Sequence, residues 1–164
     1  MTDGWVIHSA RLERETSEAT DILDITGQVE AEVTRSGVSE GLCLLHVPGS
    51  TAALTTIEYE SGAVADLARA VERLAPQGEH YEHDQRWGDG NGYSHVRAAL
   101  LGPSLALPVS AGRLELGTWQ QVVLCDFDNR PRRRRVLVRV MGQPFMGQRT
   151  GRRATDTPLE DSIG

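Results

Sequence analysis

The chain has 164 residues, with 23 acidic and 17 basic side chains and a net charge of −6 at neutral pH. This length suggests one domain with a substantial core. The negative charge argues against nucleic acid or an anionic membrane as the general partner. Every basic residue is arginine, which excludes a Schiff-base lysine and the phosphate-binding lysine of a P-loop.

The first half of the chain contains five segments with regular hydrophobic periodicity. Alternating apolar and polar residues, or short apolar runs, predict strands, whereas an apolar residue at every third or fourth position predicts a helix. Thr26 is the predicted N-cap of the first helix, and Pro76 ends the second. In chain order the elements are a strand over 5–13, a helix over 24–37, strands over 42–48 and 52–59, and a helix over 62–74.

The second half of the chain changes to short β segments after a polar stretch. Ser94 is predicted to cap a helix over 95–101, which Gly102-Pro103 ends. Four alternating segments then predict strands over 104–109, 113–116, 119–127 and 134–141. This order favours an α+β domain with a mostly antiparallel sheet over residues 1–142. The polar segment 143–164 is predicted to be a flexible tail.

Two features of the sequence indicate the cellular compartment. Cys43 and Cys125 lie in apolar runs without the CxxC spacing of a zinc finger, so we predict two buried thiols in a reducing environment. The sequence has neither the apolar core of a signal peptide nor a run of about 18 apolar residues that could span a membrane. We therefore expect a cytoplasmic protein.

The stretch 81–102 concentrates the polar chemistry of the chain. It contains His83, Asp89, Asn91 and His95 around a turn with three glycines. Two imidazoles and one carboxylate can form an open three-ligand metal site, which leaves a position for water or substrate. The same residues can equally form a solvated polar loop, in which Asp89 and Asn91 bond their own backbone. Both interpretations stay open from the residues alone.

Two further segments can bind an anion. The turn Gly49-Ser50-Thr51 offers hydroxyl and N–H groups after a strand, although an ordinary connection between strands is the alternative. Arg130 and Arg132 to Arg135 run into a strand, so successive arginines point to opposite faces of the sheet. One face is then solvated or paired with acids, and the other can hold phosphate. A nucleic-acid surface is the third alternative, and the net charge argues against it.

Four blocks in a fixed order resemble the YjbQ family. They are residues 41–58 (GLCLLHVPGSTAALTTIE), 89–104 (DGNGYSHVRAALLGPS), 112–120 (GRLELGTWQ) and 126–138 (DFDNRPRRRRVLV). The resemblance covers nearly everything between Trp5 and Gly142. Members of this family, long uncharacterised, carry the label secondary thiamine-phosphate synthase enzyme. The resemblance implies a compact α+β domain that assembles as a homotrimer, with a metal or anion bound near histidines and acids.

The resemblance also implies an activity and a set of site residues. The activity is weak thiamine-phosphate synthesis, in which a pyrimidine diphosphate alkylates a thiazole phosphate nitrogen and releases pyrophosphate. The implied catalytic residues are His95, Glu58 and Asp89. His83, Asp89 and His95 are the implied ligands of a divalent ion, Mg²⁺ or Zn²⁺. The implied substrate contacts are Ser50, Thr51, Asn91, Trp119, Gln120, Arg132 and Arg134.

Three positions depart from the family pattern. In the pattern that the resemblance implies, many relatives carry a histidine-containing triplet in place of Gly49-Ser50-Thr51. Relatives of a branch that shares the PGST turn carry histidines in place of Gly88 and Tyr93, so fewer imidazoles remain here for a metal. The expected partners are a phosphorylated small molecule and further copies of the chain, with no nucleic acid and no membrane. The alternative is a non-catalytic housekeeping protein that binds a metabolite or anion at a depleted metal site.

Overall fold

The computed structural model describes residues 4–17 and 20–145. This part of the chain contains eight strands and four helices, and every strand pairing is antiparallel. In chain order the elements are β1 (Val6–Glu15), β2 (Asp21–Asp24), α1 (Thr26–Ser36), β3 (Val38–His46), β4 (Ala52–Ile57), α2 (Ser61–Leu74), α3 (Glu82–Trp87), α4 (Gly92–Leu101), β5 (Ser104–Ser110), β6 (Arg113–Leu114), β7 (Gln121–Asp126) and β8 (Arg133–Pro144).

The strands form two sheets with a shared core between them. The larger sheet has the order β1-β8-β3-β5-β6, and the smaller sheet has the order β2-β7-β4. Alternate residues of both sheets, such as Leu45, Val138 and Leu124, meet in this core, and Val29 and Val33 of α1 pack into it. The alternation of apolar and polar residues in the sequence therefore produces the inner and outer faces of the larger sheet.

Strand β7 is the central strand of the smaller sheet, and both of its faces are buried. Val122 and Leu124 face the larger sheet, whereas Val123 and Cys125 pack in a second cluster with residues of α2 and α4. A strand buried on both faces needs a continuous apolar run, which residues 122–125 supply. The domain thus has three layers: the larger sheet, the smaller sheet, and the helices α2 and α4.

The fold class and most of the predicted elements are confirmed. The predicted strands are all present, with their ends displaced by at most four residues, and β2 was not predicted. Cys43 and Cys125 are both buried and free, as expected, and burial raises the pKa of each thiol to about 12. Among the described helices, none combines the length and the apolar character needed to cross a membrane.

Two of the predicted helix caps are wrong. Helix α1 has Ile25 at its N-cap, and the Thr26 hydroxyl instead accepts a hydrogen bond from the Val122 N–H at 2.8 Å. Helix α4 begins at Gly92 rather than at residue 95, and the Ser94 hydroxyl donates to the Phe127 carbonyl at 2.5 Å. In both cases the hydroxyl pairs with a backbone group that needs a partner: the N–H of Val122 in β7, or the carbonyl of Phe127 directly after β7. Each bond therefore links a helix to that strand or to its end.

Two boundaries also differ from the prediction. The polar segment around residues 82–87 forms the short helix α3 rather than a loop. Strand β8 runs through Pro144, three residues past the predicted end of the last strand, and the Phe145 N–H donates to the Gly37 carbonyl at 3.2 Å. Residues 146–164 of the predicted tail lie outside the described part of the chain.

Candidate functional site

A polar cleft of about 350 Å³ lies at one end of the smaller sheet. The segment α3–α4 forms one wall, and the residues around the start of β4, the end of β7 and the start of β8 form the other. The lining residues are Gly49, Ser50, Thr51, His83, Trp87, Asp89, Asn91, His95, Asp128, Arg132 and Arg134.

The turn between α3 and α4 is held in place by hydrogen bonds from both sides. Gly88 adopts a left-handed conformation with φ 65°, which ends α3 and favours glycine at this position. The Gly92 N–H donates to Asp84 Oδ1 at 2.9 Å, and Asn129 Nδ2 donates to the Asp89 carbonyl at 2.8 Å. These bonds fix the backbone that carries the polar side chains of this wall.

His83 stands at the centre of a cluster of polar groups. Its Nδ1 atom lies 3.4 Å from Asp89 Oδ1 and 3.6 Å from Asp84 Oδ1, and its ring centroid lies 4.3 Å from that of His95. With the Asn91 amide nitrogen turned toward its acceptors, it donates to His95 Nε2 at 3.3 Å and to Asp89 Oδ1 at 3.2 Å. The α3–α4 wall therefore brings two imidazoles, two carboxylates and an amide together.

The donor set of this cluster fits a divalent metal ion. Ligand atoms of His83, Asp84 and Asp89 all lie within 4.8 Å of one another. Ligands bound at about 2.1 Å in tetrahedral geometry stand about 3.4 Å apart, close to the two His83–carboxylate distances. His83 Nδ1 is buried and makes no hydrogen bond with the described residues, so in the tautomer protonated at Nε2 it can offer a lone pair to an ion. One imidazole with two carboxylates suits Zn²⁺ or Mn²⁺ better than Mg²⁺, which prefers oxygen.

The opposite wall of the cleft contains a buried ion pair. Arg134 Nε and Nη2 donate to the two carboxylate oxygens of Asp126, each at 2.7 Å, and Nη2 also donates to Thr51 Oγ1 at 2.7 Å. Asp126 is fully buried, and the Arg134 side chain is 10% exposed. Thr16 Oγ1 donates a further bond to Asp126 at 2.6 Å. Because Arg134 is already paired in a bidentate geometry, its charge is not free for a ligand.

Asp128 positions the second arginine of this wall. Its Oδ2 atom accepts hydrogen bonds from Arg132 Nε and from Thr51 Oγ1, each at 2.9 Å. Burial raises the pKa of Asp128, but the hydrogen bonds from Arg132 and Thr51 and the nearby positive charge outweigh it, so the pKa lies below the usual 3.8. The two Nη groups of Arg132 have no partner among the described residues, and they remain available to an anion.

The lowered pKa of Asp128 predicts a dependence of stability on pH. A carboxyl whose pKa falls on folding stabilises the protein above its unfolded pKa, and this contribution disappears as the pH falls through the folded value. We therefore expect the difference in unfolding free energy between the wild type and Asp128→Asn to shrink as the pH falls below about 4. Denaturant titrations between pH 7 and pH 2.5 measure it. Asp66→Asn, which removes an exposed carboxylate, controls for net charge, and a constant difference would contradict the prediction.

Three of the predicted site residues lie away from the cleft. Strand β4 pairs with β7 from Ala52↔Asp126 at the cleft to Ile57↔Gln121 at the other end, a length of about 17 Å. At that far end Glu58 comes directly after β4, and Trp119 and Gln120 come directly before β7. Gln120 Nε2 donates to Thr56 Oγ1 at 2.9 Å, and its Oε1 accepts from the Gly117 N–H at 3.0 Å. Gln120 lines a separate cavity of about 420 Å³, and Trp119 is 70% exposed.

The other predicted residues meet at the cleft. Trp87 and Asp128 also line it, and Asp84 lies beside His83 and Asp89, although the sequence analysis did not propose these three as site residues. The signal for Asp84 was its position next to His83. The local sequence of Asp128, Asp-Asn-Arg-Pro, is typical of an exposed turn, so it does not distinguish this residue from an exposed aspartate. The residues from the predicted set that line the cleft together are Ser50, Thr51, His83, Asp89, Asn91, His95, Arg132 and Arg134.

The three positions that depart from the family pattern have different environments. Gly49 lines the cleft with φ 133°, and a Cβ atom there would lie 3.3 Å from Arg134 Nη1. Gly88 has open space around it. Tyr93 is buried, and the Arg97 guanidinium lies 4.7 Å from its ring centroid. Tyr93 therefore packs into the domain.

Comparisons with known proteins agree with the resemblance seen in the sequence. The family model described as "UPF0047 protein YjbQ-like" matches residues 10–143. A UPF0047 protein of Archaeoglobus fulgidus is 41% identical over 126 residues, which are 77% of this chain and 95% of that protein. The UPF0047 protein YugU of Bacillus subtilis is 34% identical over 133 residues, which are 80% of this chain and 97% of YugU.

Solved structures show the same fold. A YbjQ-like protein of unknown function from Sulfolobus solfataricus superimposes with a TM-score of 0.75 at 31% identity, covering 84% of this chain and 99% of the other. A conserved hypothetical protein from Thermus thermophilus superimposes with a TM-score of 0.68 at 39% identity, covering 80% and 98%. The sequence and fold similarities extend over most of both chains. The chain therefore belongs to the UPF0047 family of YjbQ-like proteins.

Proposed function

We propose that the cleft binds a phosphorylated small molecule through a divalent metal ion held by His83, Asp84 and Asp89. The balance of charge around the cleft carries this proposal. Asp126 and Asp128 pair with Arg134 and Arg132 and cancel their charges. Among the residues that line the cleft or belong to the His83 cluster, Asp84 and Asp89 then leave a surplus of two negative charges when the imidazoles are neutral. Such a surplus repels a free anion and attracts a divalent cation.

Arg132 is the residue of this chain best placed to hold the phosphate itself. Its Nε atom is fixed by Asp128 at 2.9 Å, so the planar guanidinium has a defined orientation. The Nη groups, which have no partner in the described part of the chain, can donate two parallel hydrogen bonds to phosphate oxygens, the geometry in which arginine binds phosphate well. Ser50 lines the same wall and adds a hydroxyl donor. A metal ion on one wall and Arg132 on the other would hold the phosphate between them.

The chemistry that fits such a site is the alkyl transfer associated with the YjbQ resemblance. In that reaction the thiazole nitrogen forms a bond to the methylene carbon of the pyrimidine diphosphate. The C–O bond to the diphosphate breaks, and pyrophosphate leaves with the electron pair. A bound divalent ion neutralises charge on the phosphate oxygens. Arg132 neutralises further charge on the leaving group. His95 lies next to His83, and from there it can supply a proton to the departing pyrophosphate.

A non-catalytic ligand-binding protein is the second candidate function. The environment of Tyr93 favours it, because this residue is buried against Arg97 and brings no metal-binding group to the cleft. Gly49 and Gly88 also contribute no side chain. Incubation of the metal-loaded protein with a pyrimidine diphosphate and a thiazole phosphate separates the two candidates, since only the enzyme releases pyrophosphate. Binding of the phosphorylated compounds without release supports the second.

The proposed mode of binding predicts that phosphate affinity depends on the metal. Calorimetric titration of methyl phosphate into untagged protein loaded with one equivalent of Mn²⁺ should give an affinity at least about 10-fold higher than titration into chelator-treated protein. Arg132→Ala should weaken binding to the loaded protein by roughly 10-fold. Arg135→Ala is the matched control, because Arg135 is exposed on the outer face of β8. Equal affinity with and without metal would contradict the proposal.

A further inference from the structure

A groove of about 420 Å³ runs along helix α1, apart from the polar cleft. One wall is a face of α1, and the other is the segment 112–121, which contains β6. The apolar residues that line it, Val33, Leu114 and Leu116, belong to the core between the two sheets or pack against it. This feature, the α1–β6 groove, therefore has an apolar lining that continues the core of the domain.

The α1–β6 groove has a length and a strand edge that suit a short extended peptide. Strand β6 is at the edge of the larger sheet, with β5 as its one neighbour in the described part of the chain. A strand edge offers unpaired backbone groups, and an extended chain can bind along it. Helix α1 rises about 12 Å between the lining residues Thr26 and Thr34, and about four extended residues span that distance.

The end of the described chain lies at the mouth of this groove. Phe145 follows β8, and its N–H donates to the carbonyl of Gly37, directly after α1, at 3.2 Å. Its ring packs on Gly112, since a Cβ atom added there would lie 2.6 Å from Phe145 Cζ. Gly112 itself lines the groove. Phe145 therefore holds the chain where the groove meets the C-terminal end of α1, and nineteen residues, 146–164, follow it.

The charges of the groove match the order of the residues after Phe145, which begin Met146-Gly147-Gln148-Arg149. Glu30 lines the groove and has no ion-pair partner in residues 4–17 and 20–145. It lies one helical turn, about 6 Å, from the mouth of the groove at Thr34. In an extended chain Arg149 comes about 10 Å after Met146, and the long arginine side chain bridges the difference. Arg113 lies at the mouth, where the first residues of the segment are uncharged.

We propose that residues 146–149 bind in the α1–β6 groove of their own chain, along the edge of β6, with Arg149 paired to Glu30. The position of Phe145, the length of the groove and the unpaired carboxylate all favour this occupant. Binding there covers the edge of β6 and anchors the C-terminal segment to the domain. The inference is independent of the proposed function, because the groove and the cleft share no lining residue.

Paramagnetic broadening in the full-length chain tests the contact. Both native cysteines are buried, and burial raises the pKa of each thiol to about 12, so a nitroxide reagent would label only the cysteine introduced by Gln148→Cys. We expect the label to broaden the methyl signals of Val33 and Leu114 strongly and that of Val71 weakly. Val71 lies in the second cluster, on the other side of the smaller sheet.

Charge exchange tests the register of the bound segment. Glu30→Arg and Arg149→Glu should each lower the equilibrium constant for binding in the groove by roughly 2- to 5-fold, the range for one exposed ion pair. The double variant with both substitutions should restore the broadening seen in the wild type, which a merely misfolded protein would not do. Arg153→Glu is the matched control, because residue 153 lies past the end of the groove in this register, and it should leave the broadening unchanged.

A mixture of two samples separates a contact within one chain from a contact between chains. One sample carries the spin label without isotopes, and the other carries the isotopes without the label. Absence of broadening in this mixture, with broadening in chains that carry both, supports the inference. Broadening of Leu114 in the mixture would assign the groove to the segment of a second copy and overturn it. Equal broadening of Leu114 and Val71, or none at either, would also overturn it.

Discussion

Arg134→Ala is expected to lower the free energy of unfolding by about 3–5 kcal/mol, the usual cost of removing one partner from a buried ion pair. Asp126 is fully buried and receives two of its hydrogen bonds from this guanidinium. The variant leaves that buried carboxylate charged and without its cation, and an unpaired charge at a buried position is strongly destabilising. Denaturant unfolding followed by circular dichroism measures the change.

Neighbouring residues of the same strand supply the control for this prediction. Arg135→Ala removes an exposed arginine one position along β8, and its unfolding free energy should stay within about 0.5 kcal/mol of the wild type. The double variant Asp126→Leu/Arg134→Met removes both charges, so it should recover most of the loss. A loss below about 1 kcal/mol for Arg134→Ala would show that Asp126 finds another partner or takes up a proton.

His83→Ala is expected to abolish the retention of metal by the purified protein. If His83, Asp84 and Asp89 hold the ion, removal of the nitrogen ligand should lower its affinity by at least about 100-fold, since loss of an outer partner alone costs 10- to 100-fold. Elemental mass spectrometry of untagged protein gives the stoichiometry, and competition with a chelating dye gives the affinity. The wild type should retain close to one equivalent.

Variants of two other histidines show whether the loss of metal is specific to His83. His80→Ala changes an exposed histidine of the same segment and should retain the metal. His95→Ala tests the predicted third ligand: Asn91 lies against its Nε2 atom, so we expect a smaller loss than for His83→Ala. If His83→Ala retained its metal in full, the assignment of the ion to this cluster would be wrong. An equal loss in His83→Ala and His95→Ala would place both imidazoles on the ion.

The strands and their faces could be predicted from the sequence because the larger sheet is solvated on one side. The residues of β1 alternate mainly between half-buried and exposed positions, and those of β8 mainly between buried and half-buried positions. Their period of two is therefore visible in the sequence. Strand β2 has four residues, too few for a period to be recognised. Helix α3 consists of polar and aromatic residues without a buried face, which leaves no apolar stripe to detect.

The candidate site could be predicted where its residues are close in sequence. His83, Asp89, Asn91 and His95 lie within thirteen residues, and they meet at one wall. Asp128 and Asp126 could not be recognised as buried partners, because their burial depends on Arg132 and Arg134 returning beside them in β8. Glu58 and Gln120 flank strands that do lead to the cleft, but at the opposite end. That distinction depends on the register of β4 against β7, which single-strand patterns do not contain.

The enclosed thiols make this protein a convenient background for site-directed labelling. Cys43 and Cys125 are both packed in the core, and with pKa values of about 12 they form almost no thiolate near neutral pH. Maleimide or spin-label reagents would therefore leave the native chain unmodified. One cysteine introduced on the exposed surface of α3 would carry a single probe, and no lysine in the sequence competes for the reagent. With a second cysteine on the opposite wall, distances across the cleft can be followed spectroscopically without first removing the native cysteines.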